Sequence, residues 1–272
     1  AGPQGVVLEG AAECGGPAAI SGAGCCIVGT PLQKSQSISD TPDMAFEDWI
    51  RWGGGQADEI WARYYLEHTL HDLYHWAESC GAKWVDMKFQ EGNRVLRWHR
   101  PDNNGLGLMT ALIKTAQSMP TIAIMTLTKA GKLLTENGRV CGVNATNNNQ
   151  QFEVRGKAVI VATGGFNSNL DMVLEHRPEF KQFRVMEGSG LNAKGEGHQM
   201  IRELGGYFTH MDCIWFYVYA TPDYRDPQQR RGLVFRQVPG YIWFNQQGYR
   251  FHNESITGGA SATPALLAQN PP

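Results

Sequence analysis

Four short segments of this chain combine glycine with polar side chains in patterns that can bind a nucleotide. In the first segment an apolar stretch, residues 6–8, predicts the end of a short buried strand, which closes at Glu9 and is followed by a loop rich in Gly, Ala and Ser. A carboxylate at the end of a strand in a dinucleotide-binding fold accepts hydrogen bonds from ribose hydroxyls. Glycines just beyond it let backbone amides approach a pyrophosphate. A strand with a surface acid and a flexible loop explains the same residues without a ligand.

The other three segments carry signals of the same kind. Residues 158–162 (AVIVA) predict a buried strand, and Thr163-Gly164-Gly165 follows at the place where open α/β sheets bind ligands, although a tight turn is the alternative. Gly195-Glu196-Gly197 precedes a helical stretch, so Glu196 either lies near a ligand or stabilises the first helical turn. His99 precedes a glycine-rich turn and could hold a carbonyl oxygen, or it could be structural.

Periodicity predicts the elements that must position these segments. Helices are expected over residues 43–52, 57–79 and 105–118, and Asn137-Gly138 predicts a hairpin turn. In residues 57–79 large apolar side chains fall near one stripe, namely Ile60, Trp61, Tyr64, Tyr65, Leu73 and Trp76. The chain becomes richer in aromatic residues and proline after Phe166. We therefore predict a first domain over residues 1–166 with a parallel sheet, and a second α+β domain over residues 167–272.

Composition and charge exclude several classes of protein. The 272 residues are 42% hydrophobic and 18% charged, which argues against disorder. With 24 Lys and Arg against 26 Asp and Glu, no attraction to nucleic acid or anionic lipid is expected. There is no membrane-spanning apolar run, no basic leader followed by an apolar stretch, and six scattered cysteines, which together predict a cytoplasmic protein with reduced thiols.

Three histidines, His68, His71 and His75, lie three and four residues apart on one predicted helix. This spacing could form a metal-binding face, but no second ligand cluster accompanies it. We favour an amphipathic helix and predict no metal site.

Taken in order, the glycine-containing segments resemble the FAD-binding flavoproteins that include fumarate reductases, succinate dehydrogenase flavoprotein subunits and 3-ketosteroid Δ1-dehydrogenases. The matching stretches are residues 7–9 (VLE), Gly15-Gly16 with Ser21-Gly22, 99–101 (HRP), 159–166 (VIVATGGF), 195–197 (GEG) and 245–254 (NQQGYRFHNE). The resemblance covers nearly the whole chain. It implies an α/β fold, in which a partial Rossmann-like FAD-binding domain carries an α+β substrate-capping domain.

The resemblance also implies FAD as the cofactor and a position for each predicted site residue. Glu9 would bind the adenosine ribose. The residues expected to line the flavin are Gly15, Gly16, Ser21, Gly22 and Gly24. Those expected at the ADP part are Ala162, Thr163, Gly164 and Gly165, with Glu196 and Gly197 near the isoalloxazine. Members of the family transfer a hydride between a substrate C–C bond and the flavin, with a protein acid or base handling a proton.

The chain departs from the family pattern in ways that bear on activity. No G-x-G-x-x-G turn precedes the first strand and no returning flavin-domain segment follows the cap, so both domains are expected to be incomplete. Pro17-Ala18 replaces a polar pair. Tyr217 stands where fumarate reductases carry a cap histidine, and the residues after Asn253-Glu254 contain no arginine.

A neutral phenol suits a ketone or enone better than a dicarboxylate. We therefore predict an FAD-dependent oxidoreductase acting on a C–C bond next to a carbonyl, with Tyr217, Tyr219 and His99 as candidate catalytic residues. The expected substrate is a small enone, steroid-like molecule or organic acid. The alternatives are a truncated, catalytically incompetent fragment that depends on a partner and a module that binds nucleotide without redox activity. The oligomeric state stays open.

Overall fold

The structure is a computed structural model, and it describes residues 4–188, 192–218, 220–234, 242–254 and 259–270. The chain divides into two compact units. The first consists of Ala1–Thr163 with Glu196–Tyr207, and the second of Gly164–Gly195 with Phe208–Pro272. The domain boundary between residues 166 and 167 stays a prediction.

Helices occupy much of the described part of the first unit. In chain order the α-helices are α1 Gly16–Ala19, α2 Pro31–Ser35, α3 Pro42–Trp52, α4 Glu59–His68, α5 Trp76–Ser79, α6 Asn104–Ser118, α7 Leu170–His176, α8 Glu196–Glu203 and α9 Gly259–Leu267. A π-helix, Thr69–His75, joins α4 to α5, and a 3₁₀-helix covers Pro178–Gln182. The helices predicted for residues 43–52, 57–79 and 105–118 are confirmed.

Side-chain caps explain where two of these helices begin. The hydroxyl of Thr41 accepts a hydrogen bond from the Met44 amide at 3.2 Å, and Pro42 occupies the first helical position of α3. Asp58 accepts from the Trp61 amide at 3.0 Å at the start of α4. Each cap satisfies an amide that the first turn of a helix leaves unpaired.

The strands of the described residues form four small sheets. In chain order they are β1 Gly5–Leu8, β2 Cys25–Cys26, β3 Trp84–Lys88, β4 Trp98–Pro101, β5 Ile122–Met125, β6 Thr128–Glu136, β7 Arg139–Asn147, β8 Gln150–Arg155, β9 Ala220–Pro222 and β10 Gly232–Val234. β1 pairs with β5 in parallel, whereas the sheets β2-β4-β3, β6-β7-β8 and β9-β10 are antiparallel. Asn137 and Gly138 both have positive φ, as a two-residue hairpin turn requires, so the predicted hairpin is confirmed.

Two segments that the sequence predicts as buried strands are exposed. Residues 158–162 form no strand, and the side chain of Ile160 is 90% exposed. Val6 and Val7 of β1 are also exposed. The physical reason is that a strand becomes buried only when neighbouring strands and helices cover it. Within the described residues β1 pairs with β5 alone and residues 158–162 pair with no strand.

In the first unit, α4, the π-helix and α5 follow one another as a long helical rod. One side of this rod packs into the core. Ala62, Leu66 and Ala77 are buried. Of the predicted apolar stripe, Trp61 and Trp76 are instead exposed, so the prediction of one continuous stripe is wrong. The wider turn of the π-helix changes the angular phase between α4 and α5, which a single 3.6-residue period cannot describe.

A buried ionic cluster ties α3 to the residues that precede β4. The Arg97 side chain is 0% exposed and forms two hydrogen bonds to Asp40, at 2.7 and 2.8 Å, and one to Asp48 at 3.1 Å. Burial opposes the charge on Arg97, but the hydrogen bonds and charge of Asp40 together with the hydrogen bond to Asp48 outweigh burial and raise the pKa of the guanidinium. Burial likewise works to raise the pKa of Asp48, and hydrogen bonds from the Arg94 amide and from Arg97 bring it below its usual value.

Two kinds of feature are absent from the described part of the chain. None of its helices combines the length and the apolar character needed to cross a membrane. Its His, Cys, Asp and Glu side chains form no group of three or more that could hold a metal ion. The three helical histidines instead contact the Tyr64 carbonyl, Asp72 and Glu78, respectively.

Candidate cofactor-binding site

Glu9 lies immediately after β1, at the carboxyl end of the parallel pair. Its amide donates to Met125 O at 2.9 Å, and its carbonyl accepts from the Thr128 amide at 2.8 Å. These bonds join the end of β1 to β5 and to the start of β6. The carboxylate is oriented by the Ala11 amide, which donates to Glu9 Oε1 at 2.8 Å. The side chain is therefore fixed where a strand-end carboxylate can meet a ribose.

The loop that follows, residues 15–24, is called here the glycine loop. It begins with two glycines at positive φ, Gly15 and Gly16, which lead into the short helix α1. The hydroxyl of Ser21 donates to Ala18 O at 2.8 Å and accepts from the Ala23 amide at 3.0 Å. The Ser21 side chain thus stabilises the turn of the loop itself.

Steric surroundings divide the predicted site glycines into two groups. A Cβ on Gly24 would overlap the indole of Trp98, and one on Gly197 would overlap the hydroxyl of Thr163. These two glycines are explained by packing. A Cβ on any member of the other group would meet no protein atom within 4 Å; its members are Gly16, Gly22, Gly164 and Gly165. Gly16 and Gly164 have positive φ, which by itself favours glycine, and so does Gly15, where a Cβ would also lie 3.1 Å from Ala19 Cβ. Neither packing nor backbone conformation accounts for Gly22 and Gly165, so these two leave backbone open to a ligand.

The segment from Ala162 to Gly165 is exposed and irregular. The close approach of Thr163 to Gly197 brings this predicted segment against the first turn of α8. Glu196, also in that turn, pairs with Lys129 at 2.6 Å. An acid in the first turn stabilises a helix, so the structure supplies the non-ligand explanation for Glu196 that the sequence left open.

A cavity of about 430 Å³ lies beside the residues that follow Glu9. Its wall combines residues 12–14, the ends of α6 and the side chains of β5; the lining residues are Ala12, Glu13, Cys14, Ile113, Gln117, Ile122, Ile124 and Thr126. Ligand sites of this size commonly combine apolar walls with a few polar groups. The cavity thus lies between β5 and the second half of α6, next to the loop that follows Glu9.

Comparison with known proteins shows the family to which the chain belongs. The family described as "FAD binding domain" matches residues 1–263. The chain belongs to this FAD-binding family. FAD is the cofactor of the family, and the mixed α/β fold predicted from the sequence is confirmed by its flavoprotein neighbours.

Relatives of this FAD-binding chain act on different substrates. It is 28% identical to a probable fumarate reductase from Shewanella frigidimarina, over 99% of this chain and 45% of that protein. It is 25% identical to a KsdD-like steroid dehydrogenase from Mycobacterium tuberculosis, over 89% of this chain and 49% of that protein. A flavocytochrome c3 fumarate reductase solved in its open conformation matches 97% of this chain and 46% of its own, with a TM-score of 0.77 and 29% identity.

The FAD-binding chain therefore spans less than half the length of the curated relatives it matches. The similarity shows the family and the class of cofactor. Activity, substrate and partners of the whole protein are proposals.

His99, a predicted catalytic residue, lies in the interior. It is 0% exposed, its Nδ1 lies 2.8 Å from Arg97 O, and its Nε2 lies 2.7 Å from the hydroxyl of Thr30. Because a carbonyl only accepts, the proton resides on Nδ1 and the Thr30 hydroxyl donates to Nε2. Both ring nitrogens are used by the protein, which favours the structural alternative over contact with a substrate.

Burial also lowers the pKa of His99, although the bond to Arg97 O and the charge of Asp40 work against that shift. The folded state therefore binds a proton less readily than the unfolded state, whose histidine titrates near pH ~6.5. Stability should be full above that pH and should fall as the pH drops below it. We expect the thermal midpoint of the wild type to fall between pH 7.5 and pH 5.5 (~2 pH units spanning that titration), and the His99→Gln variant to show a smaller fall.

The matched control is His71→Gln, at an exposed position that pairs with Asp72. This variant should keep the wild-type pH dependence. Equal slopes for the wild type and His99→Gln would show that His99 does not contribute.

The predicted tyrosines lie in the second unit. Tyr217 is 40% exposed, and its ring centroid is 6.2 Å from that of Trp215. Tyr219 lies outside the described residues. That either tyrosine contacts a substrate beside the flavin stays a prediction.

Two residues that contact the glycine loop were not among the predicted site residues. Gly105, the second residue of α6, donates its amide to Ser21 O at 3.0 Å. Trp98 of β4 lies against Gly24. The glycine-rich turn before α6 was the available signal for Gly105, whereas nothing local marks Trp98, because its partner lies 74 residues (98 − 24) earlier in the chain.

Proposed function

We propose that this chain is part of an FAD-dependent oxidoreductase that transfers a hydride between the flavin and a C–C bond next to a carbonyl. One observation carries the proposal: glycines that packing does not explain occur in a chain of the FAD-binding family, together with a cavity beside the Glu9 loop. The proposal concerns the whole protein, because the relatives are about twice as long as this chain.

The residues present fit FAD. The glycines with open surroundings would let backbone amides reach the cofactor, and Glu9 offers a fixed carboxylate to the adenosine ribose. The 430 Å³ cavity has the mixed lining that a nucleoside prefers. We assign Gly15, Gly16, Ser21 and Gly22 to the flavin. Ala162 to Gly165 are assigned to the ADP part, and Glu196 with Gly197 to the neighbourhood of the isoalloxazine.

When bound, the flavin supplies the site that accepts or gives the hydride. The chain's own residues would orient the substrate and manage its proton. Tyr217 is proposed to donate a hydrogen bond to the substrate carbonyl, because a neutral phenol polarises a ketone without a formal charge. The sequence after Asn253-Glu254 contains no arginine to bind a second carboxylate, which favours an enone over fumarate.

A partner-dependent module is the second candidate. The observation in its favour is the exposed apolar stretch at residues 158–162, whose backbone pairs with no strand among the described residues. Such a stretch is normally covered in a finished sheet. We propose a cytoplasmic location in either case, and a small-molecule substrate for the oxidoreductase.

The test is to add FAD to the purified protein, remove unbound cofactor, reduce the sample anaerobically and follow reoxidation. We expect a yellow protein that is reoxidised by 4-androstene-3,17-dione faster than by fumarate. A protein that stays colourless after FAD addition would refute the oxidoreductase and favour the partner-dependent module. Bound flavin that neither compound reoxidises would favour nucleotide binding without redox activity.

A further inference from the structure

The contact between Gly105 and the glycine loop is a close approach of two backbones. The Gly105 amide donates to Ser21 O at 3.0 Å. A Cβ on Gly105 would overlap the carbonyl oxygen of Ala18 and would lie 2.9 Å from both Ser21 O and Ser21 Oγ. Real Cβ atoms do not occupy such positions, and the obstacle is largely backbone that has no other rotamer to adopt. Only glycine is compatible with this contact.

Glycine is an unfavourable choice inside a helix, so its presence at the second position of α6 needs a reason. An alanine would stabilise an unconstrained helical position by about 1 kcal/mol. Gly105 is buried, and its φ is not positive, so helical geometry does not demand glycine. The approach of residues 18–21 is the feature that excludes a side chain.

The same contact fixes the shape of the glycine loop. Ser21 is bonded at its carbonyl to Gly105 and at its hydroxyl to Ala18 and Ala23. The end of the loop is held separately, because Gly24 lies against Trp98 and the next two residues form β2, which pairs with β4. Between these two attachments Gly22 faces open space, as does Gly16 before them.

We propose that Gly105 is a positioning residue for the cofactor: its contact with Ala18 and Ser21 holds the glycine loop in the shape that presents Gly16 and Gly22 to FAD. The inference rests on the proposed function. Gly105 itself need not touch the flavin. Gly105 keeps the glycine loop from relaxing into a conformation in which the amides of the loop form hydrogen bonds within the protein instead of to the cofactor.

The test compares the wild type with Gly105→Ala. The added methyl should push residues 18–21 away from α6. We expect the Kd for FAD to rise at least ~10-fold, and the visible circular dichroism of the remaining bound flavin to change. In the apo-protein, hydrogen exchange should accelerate within residues 15–24 and not across the fold. A residue that served only global stability would change neither the flavin spectrum nor exchange in this one loop.

Gly131→Ala is the matched control, because a Cβ at that position in β6 meets only an ordinary contact, 3.7 Å from Asn144 O. It should bind FAD as the wild type does. If Gly105→Ala fails to fold, hydrogen exchange of the wild type decides, because the Gly105 amide should exchange together with the amides of residues 15–24 and added FAD should slow both. In Gly105→Ala, faster exchange confined to residues 15–24, with a higher Kd, would support the proposal.

Unchanged FAD affinity, flavin spectrum and loop exchange in Gly105→Ala would overturn the positioning role, as would a wild-type Gly105 amide that exchanges independently of residues 15–24. That result differs from failure of the proposed function, in which the wild type itself would not bind FAD.

Discussion

Replacing Arg97 by methionine will lower the free energy of unfolding by about 3–5 kcal/mol. The guanidinium is fully buried and holds two carboxylates, Asp40 and Asp48, which are 0% and 2% exposed. Methionine fills a similar volume but donates no hydrogen bond, so Asp40 would be left with uncompensated charge in the interior, whereas Asp48 would keep its pairs with Arg94 and Arg51. The loss should appear as a lower midpoint in urea at pH 7, with an unchanged slope.

Asp40→Asn tests the other side of the same pair. It keeps the shape of the side chain and removes the charge that faces Arg97, so it should also destabilise strongly. Arg155→Met is the control, because Arg155 pairs with Glu153 and Glu136 on the surface and should have little effect. A loss for Arg97→Met no larger than for Arg155→Met would show that the buried cluster does not stabilise the fold.

Replacing Gly22 by valine will weaken FAD binding about 100-fold, or about 2.7 kcal/mol, without destabilising the apo-protein. A Cβ at Gly22 meets no protein atom within 4 Å, and the backbone there is not in the left-handed region. The protein should therefore accept the larger side chain. The bound cofactor should not tolerate this side chain, because its two methyl groups would occupy space that the flavin requires. Titration of apo-protein with FAD measures the effect, and thermal unfolding checks the fold.

Valine variants of two other glycines are the controls for this prediction. Gly188→Val has equally open surroundings but lies outside the proposed site, so it should leave both FAD affinity and stability unchanged. Gly24→Val should impair folding, because its side chain would overlap Trp98. If Gly22→Val binds FAD as tightly as the wild type, Gly22 does not face the cofactor.

Local signals in the sequence predicted much of the secondary structure. Thr41 with Pro42 marks the start of α3, and Asn137-Gly138 marks the hairpin, because caps and turns are decided by neighbouring residues. The family and its cofactor were also predictable, since they depend on the order of short segments along the chain. The matching stretches run from residue 7 to residue 254, within the 1–263 that the family matches.

Features that depend on distant partners could not be predicted in the same way. The pairing of Arg97 with Asp40 joins residues 57 positions apart, and nothing near either residue indicates it. Burial of His99 follows from that packing, which is why its chemistry suggested a catalytic role that its surroundings do not favour. Residues 158–162 have the composition of a buried strand, but burial requires neighbours that composition does not reveal.

The π-helix Thr69–His75 has a consequence for anyone altering the length of this region. In an α-helix each residue turns the rod by about 100°. The wide turn spreads about one extra residue over nearly the same rotation, so deleting one residue from it would restore uniform α winding and leave the faces of α4 and α5 where they are. Deleting one residue from the middle of α4 would instead rotate the residues before it by about that angle and bring Trp61 to the interior position that Ala62 holds. The π-helix is therefore the part of this region that can lose a residue without turning either helix beside it.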